Sequence, residues 1–169
     1  MSSALIPGSF DPITFGHLDI ITRVAARFDR VTVAVMNNDM RKYVPGAPVK
    51  SYRFTLSERR EMVAAACTRL SNVSVVAAGG MLIKLLDTVE ADFIIKGVRS
   101  EADFTYEQKH ALWNRAHDPR AETLYMPADP AFDGISSTLV RQKLARGESI
   151  ADLVPAVVAA YITEHPRLS

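Results

Sequence analysis

Residues 7–17 read Pro7-Gly8-Ser9-Phe10-Asp11-Pro12-Ile13-Thr14-Phe15-Gly16-His17 and decide the fold. A short apolar run, Ala4–Ile6, leads into them. A segment with Leu18, Ile21, Val24, Ala25 and Phe28 at spacings of three and four follows, which predicts a helix over His17–Phe28. The order is strand, polar connection, helix. Gly8 permits close backbone approach, and Ser9 offers a hydroxyl and an amide to an oxyanion. Gly16-His17 puts an imidazole at a helix N-terminus, where unpaired N–H groups and the helix dipole favour phosphate. An ordinary strand–turn–helix connection with a capping histidine would also fit these residues taken alone. There is no G-x-x-x-x-G-K-[ST] and no G-x-G-x-x-G.

The same alternation recurs outward from this stretch. Val31–Val35, Val73–Ala77, Phe93–Ile95 and Thr123–Met126 are short apolar runs bounded by turn residues, as strands buried on both faces should be. Helical patterns separate them. Thr55-Leu56-Ser57-Glu58 is a capping box opening a helix through Ala66. Met81–Val89, Asp103–Ala116, Ser137–Arg146 and Pro155–Glu164 follow. Five rounds of strand and helix imply one α/β domain over residues 1–169, a doubly wound, Rossmann-like parallel sheet of five strands with helices on both faces. Ligands of such a sheet bind beyond the carboxyl ends of its strands. Residues 37–53 contain Pro45, Gly46 and Pro48 and form an unusually long polar loop.

Composition narrows the function classes. Twenty Lys and Arg against nineteen Asp and Glu leave a net charge of +1, which argues against a general polyanion or nucleic-acid binder. Phosphate chemistry then requires a local cluster of cations. One cysteine, Cys67, excludes an internal disulfide, and no zinc spacing exists among it and four histidines. The apolar stretches fall short of the ~20 residues of a membrane span. Residues 1–7 lack the basic and apolar regions of a signal peptide, so a soluble cytoplasmic domain is expected. His110 and His117 read as surface histidines without a third ligand, and Trp113, Tyr106 and Leu112 as packing.

Two further strings lie at strand ends. Lys96-Gly97-Val98-Arg99 follows the fourth strand, with Asp103-Phe104-Thr105-Tyr106-Glu107 behind it. Lys96 and Arg99 are placed to hold phosphates, Asp103 to cap the next helix, and Glu107 on the same face four residues on. A solvated turn with i, i+4 charges would carry the same pattern. Gly134-Ile135-Ser136-Ser137-Thr138-Leu139-Val140-Arg141 precedes the fifth helix, where hydroxyls and amides at a helix N-terminus form either a plain cap or a phosphate pocket.

Together the three strings resemble the nucleotidyltransferase superfamily. Residues 8–17 match its G-[ST]-F-D-P-x-[TH]-x-G-H signature, and residues 135–141 its I-S-S-[ST]-x-[VI]-[RK] string. The K-G-V-R and D-F-T-Y-E residues resemble one branch, the phosphopantetheine adenylyltransferases. The resemblance implies transfer of AMP from ATP to 4'-phosphopantetheine, giving dephospho-CoA and pyrophosphate, with Mg²⁺ accompanying the triphosphate. It implies a catalytic group of His17, Ser9, Lys96 and Arg99. It places ATP against Ser9, Phe10, His17, Gly97, Val98, Arg99, Glu107 and the run Phe132, Asp133, Gly134, Ile135, Ser136, Ser137 and Thr138. The acceptor falls to Ser9, Leu82, Lys96 and one of Arg41 and Lys42. Members of the branch are homohexamers.

The sequence departs from the branch in two places. The stretch from Arg41 to Phe54 is expanded, so register favours Arg41 as the acceptor's cation while residue type favours Lys42. The tail over residues 137–162 resembles nicotinate mononucleotide adenylyltransferase equally well, but that enzyme lacks D-F-x-Y-E. A nucleotide-binding regulator without turnover is the remaining alternative, and the presence of Ser9, His17, Lys96 and Arg99 gives no motive for lost activity.

Overall fold

The computed structural model describes residues 1–37 and 51–165. Arg41, Lys42 and nearly all of the long loop lie outside the described residues. The strands are β1 (Ser3–Gly8), β2 (Arg30–Met36), β3 (Val73–Ala78), β4 (Phe93–Val98) and β5 (Thr123–Pro127). The helices are α1 (Phe15–Ala25), α2 (Leu56–Ala66), α3 (Leu82–Val89), α4 (Glu101–His117), α5 (Ser137–Ala145) and α6 (Ala156–Glu164), with a 3-10 turn at Pro130–Phe132 before α5. All pairings are parallel, and the strand order is β3-β2-β1-β4-β5. The expected five-stranded, doubly wound α/β sheet is the one observed.

Period-two alternation decides which face each strand residue covers. On β1, Ala4 and Ile6 enter a core shared with Ile21 and Val24 of α1, Met62 and Val63 of α2, Val140 of α5 and Val158 of α6. Leu5 points to the other face, packing with Ala34, Ile94, Ala121 and Leu86 of α3. Helices on both faces bury the central strands β1 and β2 almost throughout, so their sequences are continuous apolar runs, whereas the edge strands β3 and β5 stay partly exposed.

Several ends differ from the sequence reading. The chain enters α1 two residues earlier than expected, because Thr14 caps it, and leaves at Ala25 rather than Phe28. Met81 and Pro155 are caps, not first-turn residues. Strand β4 does not stop before Gly97. Lys96, Gly97 and Val98 pair with Tyr125, Met126 and Pro127, so the edge partner carries the ladder through the glycine. Ser100, not Asp103, caps α4, accepting from the Asp103 N–H at 3.1 Å. The long helix α4 touches the sheet along a narrow stripe. Tyr106 and Leu112, expected to pack, are 52% and 64% exposed, and Trp113 stacks on His117 at 3.9 Å.

The connection order positions the site. From β1 the chain winds outward through β2 and β3, then returns to β4 on β1's other side. The switch point therefore lies between β1 and β4, where open α/β sheets bind ligands. Pairing there is brief. Only Ala4↔Phe93 and Leu5↔Ile94 are in register, whereas β1 and β2 pair from Ser3↔Arg30 to Gly8↔Val35. Pairing in register ends at Leu5, and the crevice that the topology predicts at such a switch point falls between the strand ends that carry Gly8 and Gly97.

Candidate active site

The residues 7–17 string lines the crevice at the end of β1. A Cβ on Gly8 would sit 2.7 Å from the ring of Phe10, so only glycine lets that ring fold back over the strand end. Phe10 itself is buried with φ of 46°, a left-handed conformation costly for a bulky residue and held here by its surroundings. Its ring meets His17 edge-on at 5.2 Å.

His17 is the third residue of α1 and completes a capping box with Thr14. The Thr14 hydroxyl accepts from the His17 N–H at 3.4 Å, and the Thr14 N–H donates to His17 Nδ1 at 3.1 Å. A box of this kind normally carries Glu or Gln at that position. With Nδ1 accepting, the proton of a neutral ring belongs to Nε2. The cap thus orients the ring and selects its tautomer.

The α5 string meets the same loop. Ser136 caps α5 by accepting from the Leu139 N–H at 3.1 Å. Ser137 Oγ donates to the Pro12 carbonyl at 2.8 Å, and Arg141 Nη1 donates to the Asp11 carbonyl at 2.7 Å. Arg141 Nη2 donates to Thr138 Oγ1 at 3.1 Å. The consecutive hydroxyls therefore tie loop to helix, and the N-terminus of α5 lies beside that of α1. Phe132 of the 3-10 turn packs against Gly16, where an added Cβ would stand 3.6 Å from its own Cβ. Asp133 and Gly134, which has φ of 82°, are exposed between them.

On the other flank, β4 and α4 match cations to carboxylates. Lys96 Nζ lies 3.0 Å from Glu107 Oε2, both about one-fifth exposed. Arg99 Nε lies 3.0 Å from Asp103 Oδ2 on a more open surface. His110, expected at the surface, instead turns toward Glu107, with Nδ1 3.7 Å from Oε2. Burial pushes the Glu107 carboxyl up, but His110 and the Lys96 ammonium outweigh it and hold the pKa at about 2. A carboxyl lowered by folding stabilises the protein above its unfolded pKa, and the contribution disappears as pH falls through the folded value. Glu107→Gln should therefore lower stability at neutral pH and flatten its decline between about pH 4.5 and about pH 2. Urea midpoints across that window that run parallel for both proteins would refute the coupling.

Leu82, assigned to the acceptor's arm, opens α3 and packs on the Leu5–Ile94 face of the sheet. Two residues of the site had no assigned role in the sequence reading. The buried carboxylate of Asp11 accepts from the Arg53 and Phe54 N–H groups, each at 2.9 Å, joining the loop to the start of α2. Arg59 is buried at 1% exposure beneath Ser9. Burial lowers its pKa, and Asp11 and Tyr52 oppose that shift. Its signal was legible: it precedes Met62 and Val63 by three and four residues, on the stripe that helix α2 buries.

A doubly wound parallel sheet whose switch point gathers a capped histidine, a lysine–arginine strand end and two helix N-termini has the build of a nucleotidyltransferase. Residues 5–143 match the family model described as cytidylyltransferase-like. A phosphopantetheine adenylyltransferase of Limosilactobacillus fermentum is 41% identical over 156 residues, 92% of this chain and 85% of that protein. One of Caldanaerobacter subterraneus subsp. tengcongensis is 37% identical over 164 residues, 97% of each. A crystal structure titled a putative nicotinate-nucleotide adenylyltransferase, from Vibrio parahaemolyticus, superposes with a TM-score of 0.70 at 18% identity, covering 97% of this chain and 93% of that one. That likeness speaks for the fold alone. The chain belongs to the cytidylyltransferase-like family and, within it, to the phosphopantetheine adenylyltransferases.

Proposed function

We propose that the chain moves AMP from ATP to 4'-phosphopantetheine, releasing pyrophosphate and forming dephospho-CoA in the synthesis of coenzyme A. The observation that carries this reading is the meeting of His17, the α5 N-terminus and the Lys96–Arg99 strand end at the β1/β4 switch point. The acceptor is a phosphate monoester with a second pKa of ~6, so it is largely dianionic at neutral pH and attacks without a general base. The chain needs only to hold two anions in line and to stabilise charge growing on the α-phosphate. His17 donates to that phosphate, and Ser9 stands between the substrates. Lys96 takes the acceptor phosphate, and Leu82 its pantetheine arm. Phe10, Gly97, Val98, Arg99, Glu107 and residues 132–138 contact ATP. The reaction's energetic problem is repulsion between two polyanions, and the clustered cations answer it.

Among the described residues no three His, Cys, Asp or Glu side chains converge to hold a metal ion. Mg²⁺ arriving with ATP would be held by triphosphate oxygens and water and would neutralise charge on the departing pyrophosphate. No helix among the described residues is long and apolar enough to cross a membrane. Exposed Phe104, Tyr106, Leu112 and Leu124 on α4 and β5 favour self-association, as a homohexamer. Light scattering should return six times the 18.6 kDa chain mass, and a monomer at working concentration would refute it.

Purified protein should release pyrophosphate from ATP with 4'-phosphopantetheine and not with nicotinate mononucleotide. Turnover of the second acceptor alone would overturn the reading, and turnover of neither would favour a binding protein. For the residues after β2, we expect Lys42→Ala to raise the KM for the acceptor about tenfold, about 1.4 kcal/mol, with Arg41→Ala nearly silent. The reverse ranking in the same titration would place Arg41 in the site.

A further inference from the structure

Arg59 is a fully buried guanidinium to which, among the described residues, no carboxylate is hydrogen-bonded. Its donors go to carbonyl oxygens from three separate segments. Nη1 donates to the Ser9 carbonyl at 2.6 Å and to the Met36 carbonyl at 3.2 Å, and Nε to the Phe54 carbonyl at 3.1 Å. Nη2 donates to Asn37 Oδ1. The Tyr52 ring lies under the guanidinium, 4.3 Å from its carbon. One side chain thereby joins the β1–α1 loop, the end of β2 and the approach to α2. Burying a cation among neutral carbonyls is costly, and a hydrophobic residue at this helix position would serve packing alone at least as well. What a hydrophobe cannot do is fix the direction of a peptide.

The Ser9–Phe10 peptide is trans. Drawing its carbonyl toward Arg59 aims the Phe10 N–H the opposite way. On the far side of Phe10, the carbonyl of the following residue, Asp11, is held by Arg141 at 2.7 Å. Two arginines so grip the carbonyls of the residues before and after one held at positive φ, whose ring rests against His17.

We propose that Arg59 is a positioning residue for adenylyl transfer: it fixes the Ser9–Phe10 peptide so that the Phe10 N–H is a preset donor to a substrate phosphate oxygen. The assignment rests on the adenylyltransferase reading and adds to it a residue that never touches substrate. A lysine at 59 offers a single ammonium in place of the fork and cannot reach all four acceptors in their present geometry. Arg59→Lys should lower kcat, per folded enzyme, by about 10²-fold, the usual effect of misplacing a reacting group by about 1 Å. The KM values for ATP and for 4'-phosphopantetheine should stay within about threefold. Arg59→Gln, which loses the charge, should do the same, and Arg60→Ala on the exposed face of α2 should not.

The folded fraction is read by near-ultraviolet circular dichroism in the same samples. Unchanged kcat per folded molecule with only a lower Tm would make Arg59 purely structural and overturn the proposal. A rise in both KM values at constant kcat would also overturn it. The wild-type protein supplies a readout that needs no variant: the Phe10 amide resonance should move when ATP is added, and an unmoved resonance would contradict the proposed donor. Wild-type protein that turns over no acceptor would defeat the adenylyltransferase reading itself, a different result from active wild type with an equally active Arg59→Lys.

Discussion

His17→Ala should reduce kcat by ~10²–10³, the loss expected when one donor to developing negative charge is removed. The argument starts from the cap. Thr14 engages the ring through Nδ1 and sets both its direction and its tautomer, so Nε2 carries the proton. A donor prepositioned in this way interacts most strongly with the α-phosphate when bonds to two oxygens load it with charge. The helix amides of α1 and α5 and Arg99 remain in the variant, so the dissociation constant for ATP should change by less than about tenfold. Some stability should also be lost, because the capping box loses its reciprocal half. Kinetics at saturating substrate separate the two effects. Near-normal kcat with a large rise in KM would show that His17 only binds.

Lys96→Ala should raise the KM for 4'-phosphopantetheine by ~10–100-fold, the range for removing a hydrogen bond to a charged group. Lys96 lies on β4 beside the crevice with its ammonium 3.0 Å from Glu107, a partner that fixes the side chain but leaves a cation to share with phosphate. The substitution also strands a half-buried carboxylate, so stability should fall. Lys96→Ala/Glu107→Gln removes that stranded charge. The double variant should recover stability while keeping the high acceptor KM. Recovery of the KM as well would mean that Lys96 acts only by neutralising Glu107.

The sheet was legible because its strands are short apolar runs bounded by turn residues and alternate with segments of helical periodicity. Val31–Val35 and Thr55–Glu58 needed nothing beyond composition and spacing. Strand β4 was read too short because glycine usually ends a strand, whereas at Gly97 an edge partner continues the ladder and Ile20 fills the space above it, 3.3 Å from where a Cβ would stand. The cap of α4 was misplaced because Ser100 and Asp103 are both good N-cap types, and only the backbone turn decides between them. The residues proposed to face ligands were read from local strings. Arg59 and Asp11 were given no role because they act across 50 and 43 residues of sequence, through carbonyls and amides that every residue carries. Spacing on α2 marks Arg59 as buried, but no local motif names the backbone atoms that such a side chain holds. His110 and Glu107 are a third case, since a histidine three residues along a helix becomes meaningful only once Lys96 is seen on the neighbouring strand.

The central claim is direct, in-line transfer of AMP between two phosphates held by this chain's cations and helix termini, with no covalent enzyme intermediate and no general base. A single displacement inverts the configuration of the attacked phosphorus, and two displacements restore it. ATP made chiral at the α-phosphorus by one sulfur substitution, incubated with the protein and 4'-phosphopantetheine, tests this directly. The predicted product is dephospho-CoA whose bridging phosphorothioate is inverted. Retention of configuration would contradict the account, because it would require an adenylylated side chain that His17, Ser9 and Lys96 are not arranged to form.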